Sequence, residues 1–290
     1  MTSVQQEAYL DALRASMESL TNTQASFKGM IYGVSGVGKT VHAMMMAQDI
    51  TPTGKDILYI DTAEGWVSLQ NHPQLKKRTT RMRFINIQQL EALCHAYRMN
   101  VEDFTKYGCI IVDEVSSAAD NTLDEIVRYR ASQDHTKDPD TPTQPDYNTT
   151  TIKVRRAIND LLTLTGVHVI LVSHVRKDKD NRNIEVQSPS FLPKLGVKIK
   201  QPLHLITHLS GNEIDEETYV RIFQVHPTRT IDAKTRIGGL KPQVQYDELI
   251  LKTKGWLAGE VMTERSQVRV PDHDPENPMP VEIAVEGDIA

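Results

Sequence analysis

An octapeptide at residues 33–40 has the residue types and spacing that hold a polyphosphate. It reads Gly-Val-Ser-Gly-Val-Gly-Lys-Thr and fits the pattern GxxxxGK(S/T) without a mismatch. Glycines let the backbone approach an anion closely, so that successive N–H groups point at phosphate oxygens where a helix begins. Lys39 is expected to reach the β- and γ-phosphates of ATP, and the Thr40 hydroxyl to bind Mg²⁺. The spacing predicts a nucleotide site made of Gly33, Val34, Ser35, Gly36, Val37, Gly38, Lys39 and Thr40.

The segments on either side of this loop fit the same interpretation. A short apolar stretch at 30–32 precedes the loop and is typical of a strand end, and a helix-forming run at 41–48 follows it. Strand, loop and helix therefore come in the order that phosphate binding requires. A glycine-rich turn without a binding role would not need these neighbours.

A second motif supplies carboxylates. Cys109-Ile110-Ile111-Val112 is a buried-strand pattern that ends in Asp113 and Glu114. Ligands bind at the carboxyl ends of the strands in open α/β sheets, so Asp113 is expected to hold Mg²⁺ through water. The alternative is a strand that ends in a solvated acidic turn.

Two glutamates compete for the role of positioning the attacking water. Glu114 follows the metal aspartate directly, and Glu64 follows the earlier strand in Ile60-Asp61-Thr62-Ala63-Glu64-Gly65. Both strand ends are expected to open toward the same crevice. Position along the chain therefore leaves both open.

The order of these motifs resembles the RecA-like ATPases. In that group a strand ending in a DTEG-like sequence carries the catalytic glutamate, which implies Glu64 here, with Ala63 as one additional residue and Glu114 as the second candidate. The resemblance also implies a γ-phosphate sensor at the end of a later strand, where Ser173 and His174 are the matching positions and His174 is preferred. A structural histidine is the plainer interpretation.

The resemblance further implies a homo-oligomer, either a filament or a ring. Lys234 and Arg236, in the segment 232–239, match the element that such proteins insert into a neighbour's ATP site, where a guanidinium stabilises phosphoryl charge. A solvated basic turn would have the same sequence.

Single-stranded DNA is the partner that the resemblance implies. The segment 175–200 follows the sensor strand, where RecA-like proteins place a second DNA-binding loop, and the polar insert 131–150 stands where the first would be. The later segment has seven basic residues, namely Arg176, Lys177, Lys179, Arg182, Lys194, Lys198 and Lys200, against three acidic ones. Such a loop suits backbone contacts to single strands, and a long solvated surface loop is the alternative.

Composition and periodicity outline the rest of the chain. Of its 290 residues, 39% are hydrophobic and 24% charged, which is ordinary for a globular protein, and the net charge is −5. Alternating segments predict an α/β fold with a mainly parallel, twisted sheet and helices on both faces. Strands are expected at 57–61, 83–87, 109–113, 167–173, 203–209 and 219–225, and helices at 88–99, 121–130 and 151–164.

Three regions follow from these patterns: an amphipathic N-terminal helix or arm at 1–26, a RecA-like ATPase domain at 27–260, and an acidic, Pro-rich tail at 261–290. The tail has the composition of a disordered segment and is a candidate contact for other replication or recombination proteins. With no apolar run of membrane length and no signal-peptide core, we expect no membrane partner and a cytoplasmic location, the host bacterial cytoplasm for a phage-encoded protein.

The sequence thus predicts a Mg²⁺-dependent ATPase with a RecA-like core that binds single-stranded DNA. Its expected role is phage recombination or strand annealing. A DnaB-type helicase or loader motor would share all of these residues. A nucleotide-switched interaction protein with slow hydrolysis is the second alternative.

Overall fold

The computed structural model describes residues 25–179, 181–190, 199–213 and 219–260. Residues 1–24 of the predicted N-terminal helix or arm, the predicted tail at 261–290 and the basic residues Lys194 and Lys198 lie outside the described residues. In the described part the strands are β1 (Lys28–Gly33), β2 (Asp56–Asp61), β3 (Thr79–Arg83), β4 (Tyr107–Asp113), β5 (His168–Lys179), β6 (Glu185–Pro189), β7 (Leu205–Glu213), β8 (Tyr219–Gln224), β9 (Lys234–Thr235) and β10 (Gln243–Val244).

The helices alternate with these strands as the pattern predicts. They are α1 (Lys39–Ile50), α2 (Ile87–Arg98), α3 (Glu102–Thr105), α4 (Val115–Gln133), α5 (Gln144–Leu162) and α6 (Tyr246–Leu257), with short 3₁₀ turns at Gly65–Leu69 and Pro73–Lys76. Within the described ranges, none of the helices has the length and apolar character that crossing a bilayer requires.

The strands form one mixed sheet in the order β10-β8-β7-β1-β5-β4-β2-β3. The six strands from β7 to β3 in this order run parallel to one another. β8 pairs antiparallel with β7, and β10 pairs antiparallel with β8. β1 therefore lies between β5 on one side and β7 on the other. This placement brings the carboxyl ends of β1, β5, β4 and β2 to one edge of the sheet.

Alternate residues of the central strands are buried on opposite faces of the sheet, as the pleat requires. Met30 and Tyr32 of β1 join the cluster that contains α2, α4 and α5, whereas Ile31 joins the cluster that contains α1 and α6. The free cysteines Cys94 and Cys109 are buried, one in each cluster. The α/β fold with helices on both faces of a mainly parallel sheet is confirmed.

Two element predictions were wrong. The strand expected at 83–87 lies at Thr79–Arg83, and Asn86 instead caps α2 by accepting a hydrogen bond from the Gln89 backbone (3.3 Å). The half-exposed edge strand is polar, so it lacked the apolar run that marks a buried strand. Half of the predicted insert at 131–150 is helical, because α4 extends to residue 133 and a capping box at Thr143 starts α5.

The segment 175–200 also differs from the predicted loop. Its first part continues β5 and pairs antiparallel with β6, so that Val175 lies opposite Pro189 and Lys179 opposite Glu185. We call residues 175–189 the basic hairpin. β-branched residues in both arms, such as Val175 and Val186, favour this extended pairing.

Candidate active site

The predicted phosphate loop joins β1 to α1 at the carboxyl edge of the sheet. Gly36 and Gly38 have φ angles of 79° and 96°, a left-handed conformation that glycine adopts without strain. Gly33 needs to be glycine for a different reason, since a Cβ there would lie 2.4 Å from the Leu209 carbonyl oxygen. The sequence thus folds locally into a loop whose backbone is open to an anion.

A cleft of about 380 Å³ opens at this loop, a volume typical of small-ligand sites. Of the predicted nucleotide residues, Ser35, Gly36, Gly38, Lys39 and Thr40 line the cleft directly. The other three, Gly33, Val34 and Val37, are not among the lining residues, and of these Val37 is buried whereas the Val34 side chain is exposed. The opposite walls come from the ends of β2, β4, β5 and β8, through Ala63, Gly65, Ser68, Asp113, Glu114, His174 and Arg221.

Asp113 lies where a metal ligand is expected. Its buried Oδ2 accepts hydrogen bonds from the Thr40 hydroxyl (2.7 Å) and the Tyr59 hydroxyl (2.6 Å). Burial raises the pKa of this carboxyl, and the two hydroxyl donors oppose the shift. Oδ1 has no hydrogen-bond partner among the described residues. A hydroxyl and a carboxylate held together in this way are the oxygen donors that Mg²⁺ prefers.

The turn after β2 packs directly against this carboxylate. The Gly65 N–H donates to Asp61 Oδ1 (2.9 Å), and Arg81 binds Asp61 Oδ2 while its guanidinium stacks on Trp66 (4.6 Å). A Cβ at Gly65 would lie 2.4 Å from Asp113 Oδ2. Only glycine therefore fits at this position without moving the Asp113 carboxylate.

Glu114 faces the same cleft and is held by several groups. It is 5% exposed, and its Oε1 accepts hydrogen bonds from the Ser116 hydroxyl (2.6 Å) and the His174 backbone N–H (2.8 Å). Thr62 ties the end of β2 to this segment, because its hydroxyl oxygen accepts from the Glu114 N–H (2.9 Å). The carboxylate is thus fixed beside the phosphate loop.

The other candidate glutamate, which the resemblance favoured, lies elsewhere. Glu64 has a positive φ of 58°, and its exposed side chain does not line the cleft. Its neighbours Ala63 and Gly65 occupy that wall instead. The geometry therefore favours Glu114 for the position next to the reacting phosphate, in contrast to the preference for Glu64 that the resemblance implied.

Lys39 and His174 are neighbours at the cleft. The Lys39 ammonium donates to the Val34 carbonyl (3.1 Å) and lies 3.3 Å from His174 Nδ1. Because an ammonium only donates, Nδ1 accepts and the proton of the neutral ring is on Nε2, which faces Glu114 Oε2 at 3.4 Å. Burial lowers the pKa of Lys39, and the charges of Glu114 and Asp113 counter this.

Lys234 and Arg236 lie far from their own chain's cleft. Thr235, between them, pairs with Leu205, which pairs with Gly29 near the start of β1. The six residues of β1 span roughly 17 Å, so these side chains are at the opposite edge of the sheet from the phosphate loop. There the Lys234 ammonium donates to the carbonyls of residues 200 and 201 (2.9 and 2.8 Å), and Arg236 donates to the latter (3.0 Å).

Sequence reasoning missed two residues of the site. Tyr59 lies inside an apolar strand, so its hydroxyl gave no signal of a polar role. Arg221 comes from β8, and only the register of the β7–β8 pair places it beside the phosphate loop.

Comparison with known proteins identifies the family. A model described as AAA_24, an AAA domain, matches residues 25–237. The chain belongs to this family. It therefore carries an AAA-type P-loop ATPase domain, and the match spans both the phosphate loop and Asp113. No curated protein matches the chain.

Among solved structures, the AAA_24 chain is similar to the KaiC-like protein PH0186 from Pyrococcus horikoshii OT3. The identity is 15% and the TM-score 0.40, and the match covers 70% of this chain and 79% of that one.

Substitution of Gly65 tests the metal end of the site. We expect Gly65→Ala to push Asp113 from its position and to raise the Mg²⁺ concentration needed for half-maximal nucleotide binding by about tenfold, the range seen when a ligand's support is lost. A Mg²⁺ titration with a fluorescent ATP analogue measures this. Gly54→Ala is the matched control, since it strains a turn with φ of 83° away from the cleft. Equal Mg²⁺ requirements in the two variants would contradict the packing argument.

Proposed function

We propose that this protein is a Mg²⁺-dependent ATPase of the RecA-like branch that binds single-stranded DNA and acts in phage DNA recombination or strand annealing. One observation carries the proposal most directly. Glu114 accepts a hydrogen bond from the His174 N–H (2.8 Å), so a carboxylate at the phosphate loop is bonded to the residue that directly precedes the basic hairpin.

Each group of residues in the cleft has a separate role in ATP hydrolysis. The phosphate loop and Lys39 bind the polyphosphate, while Thr40 and Asp113 would hold Mg²⁺. The bound ion would neutralise charge that develops on the phosphates. Glu114 orients the attacking water and accepts its proton, and His174 responds to the γ-phosphate through Lys39 and Glu114. The exposed Glu64 takes no part in this scheme.

The basic hairpin offers a physical link between ATP and DNA. Its base is closed at His174, whose carbonyl accepts a hydrogen bond from the Ser190 N–H (2.8 Å). A displacement of Glu114 on hydrolysis would therefore act on the hairpin through two hydrogen bonds in series. RecA-like proteins place a DNA-binding element after this strand, which supports the same assignment here.

Ion pairs within the basic hairpin weaken its electrostatic attraction to phosphate. Arg176 pairs with Asp178 and Lys177 with Glu185, both at 2.9 Å. Surface ion pairs of this kind contribute little energy, so DNA phosphates can replace the carboxylates at small cost. We therefore expect DNA binding that weakens steeply with salt.

A homo-oligomer completes the proposal. Lys234 and Arg236 are too far from the cleft of their own chain to act there, and a head-to-tail neighbour would bring them to a second chain's site. An arginine supplied in this way stabilises the transferring phosphoryl and makes hydrolysis depend on assembly.

An ATPase assay with and without single-stranded DNA tests the function. We expect DNA to stimulate turnover, and Lys39→Ala to abolish at least about 99% of it, because a preorganised cation at the phosphates is lost. Stimulated annealing of complementary strands without unwinding would support the recombination role. ATP-driven unwinding would instead indicate a helicase, and turnover indifferent to DNA would contradict both.

Mixing of inactive variants tests the neighbour's contribution. Arg236→Ala keeps its own phosphate loop, and Lys39→Ala keeps its own arginine. Each alone is expected to lose about 10³-fold in kcat. In a one-to-one mixture, roughly a quarter of the head-to-tail interfaces combine the intact halves, so turnover should return to roughly that fraction.

The matched control for this experiment pairs Lys39→Ala with Thr40→Val. Both changes lie in the same phosphate loop, so no interface between these variants contains a complete site. Recovery in this control mixture, or no recovery in the Arg236→Ala mixture, would contradict a site shared between neighbours.

A further inference from the structure

We infer that Arg221 binds the nucleotide of its own chain, at the phosphate nearest the nucleoside. This inference rests on the proposed function, because it requires a nucleotide in the cleft. Arg221 would then be a second phosphate-binding cation from the same chain, in addition to Lys39 of the phosphate loop.

The β7–β8 pair places Arg221 above the phosphate loop. His208 of β7 lies opposite Tyr32, near the end of β1, and β7 continues beyond that point. Arg221 is paired with Gly211, three residues further along β7. The arginine therefore lies beyond the last residue of β1, beside the loop that follows it.

The contacts of Arg221 fix its guanidinium at the cleft. Nε donates to the Val37 carbonyl (3.0 Å) and lies next to Gly38, where a Cβ would be 3.1 Å away. The guanidinium stacks on the Tyr219 ring at 5.2 Å. Its terminal nitrogens have no hydrogen-bond partner among the described residues, and Arg221 is one of the residues that line the cleft. An arginine anchored in this way loses little freedom when it binds a phosphate oxygen.

The topology indicates which end of the nucleotide Arg221 meets. His174, Asp113 and Glu114 reach the cleft from β5 and β4, on one side of β1. Arg221 comes from β8 beyond β7, on the other side. Because Thr40 and Asp113 would hold the metal, and with it the terminal phosphates, on the β4 side, the opposite side would receive the nucleoside end.

The charges around the cleft agree with this placement. Two carboxylates, Asp113 and Glu114, stand on the metal side, and Lys39 lies between them and the loop. Besides Lys39, Arg221 is the other lysine or arginine among the residues that line the cleft. A polyphosphate chain that extends from the metal toward the nucleoside therefore meets a cation at each end.

Affinities of ADP and ATP for Arg221→Gln test the inference. The nucleoside-proximal phosphate is common to both nucleotides, so we expect both dissociation constants to rise by about tenfold and their ratio to stay unchanged. Calorimetric titration in excess Mg²⁺ measures both. Arg128→Gln, an exposed arginine on α4, is the matched control and should leave both affinities unchanged. Weakened ATP binding with unchanged ADP binding would move Arg221 to the terminal phosphate and overturn the inference, as would no change at all.

Arg221→Lys separates ligand binding from support of the loop. If the arginine acts on phosphate, the lysine variant keeps a cation and binds ADP several-fold more tightly than Arg221→Gln. If its role is only the bond to the Val37 carbonyl, the two variants bind equally, and the inference fails. Wild-type protein that binds no nucleotide would refute the proposed function itself. Nucleotide binding without stimulation of turnover by DNA would refute the DNA role. The inference about Arg221 would then still be decided by the ADP and ATP affinities of its variants.

Discussion

A single buried carboxylate, that of Asp113, connects the parts of this site. One of its oxygens accepts from the first turn of α1 through Thr40 and from β2 through Tyr59. The turn at Gly65 packs against the same oxygen so closely that a methyl group would not fit. Three segments distant in sequence thus meet at one atom, and a change in any of them is expected to move the Asp113 carboxylate in the cleft.

The sheet order gives this cleft two unlike sides. Insertion of β5 between β1 and β4 separates the phosphate loop from Asp113 by one strand, which is the space that His174 occupies. On the other side, the β7–β8 hairpin brings a basic residue instead of acidic ones. A polyanion with a bound cation at one end matches this asymmetry. Nucleotide chemistry therefore follows from the arrangement of strands as much as from the loop motif.

The parts of the site that lie in continuous motifs could be predicted from the sequence. The phosphate loop and the strand before Asp113 are continuous segments, so residue spacing alone located them. The choice between Glu64 and Glu114 depended on the backbone after β2, where a left-handed residue leaves Glu64 exposed and no local pattern reveals it. Arg221 was missed because its place depends on the register of a hairpin, a non-local property. The edge strand at 79–83 was misplaced because half-exposed strands lack an apolar signature.

The central claim is that Glu114, held by His174 and Ser116, is the residue that orients water for hydrolysis. Steady-state turnover of Glu114→Gln beside Glu64→Gln, with nucleotide affinity measured for both, tests it most directly. We expect Glu114→Gln to lower kcat by about 100-fold or more and to keep the ATP affinity of the wild type. Glu64→Gln, a surface change, should remain within about twofold of wild type. A large loss in Glu64→Gln with near-normal turnover in Glu114→Gln would contradict the account.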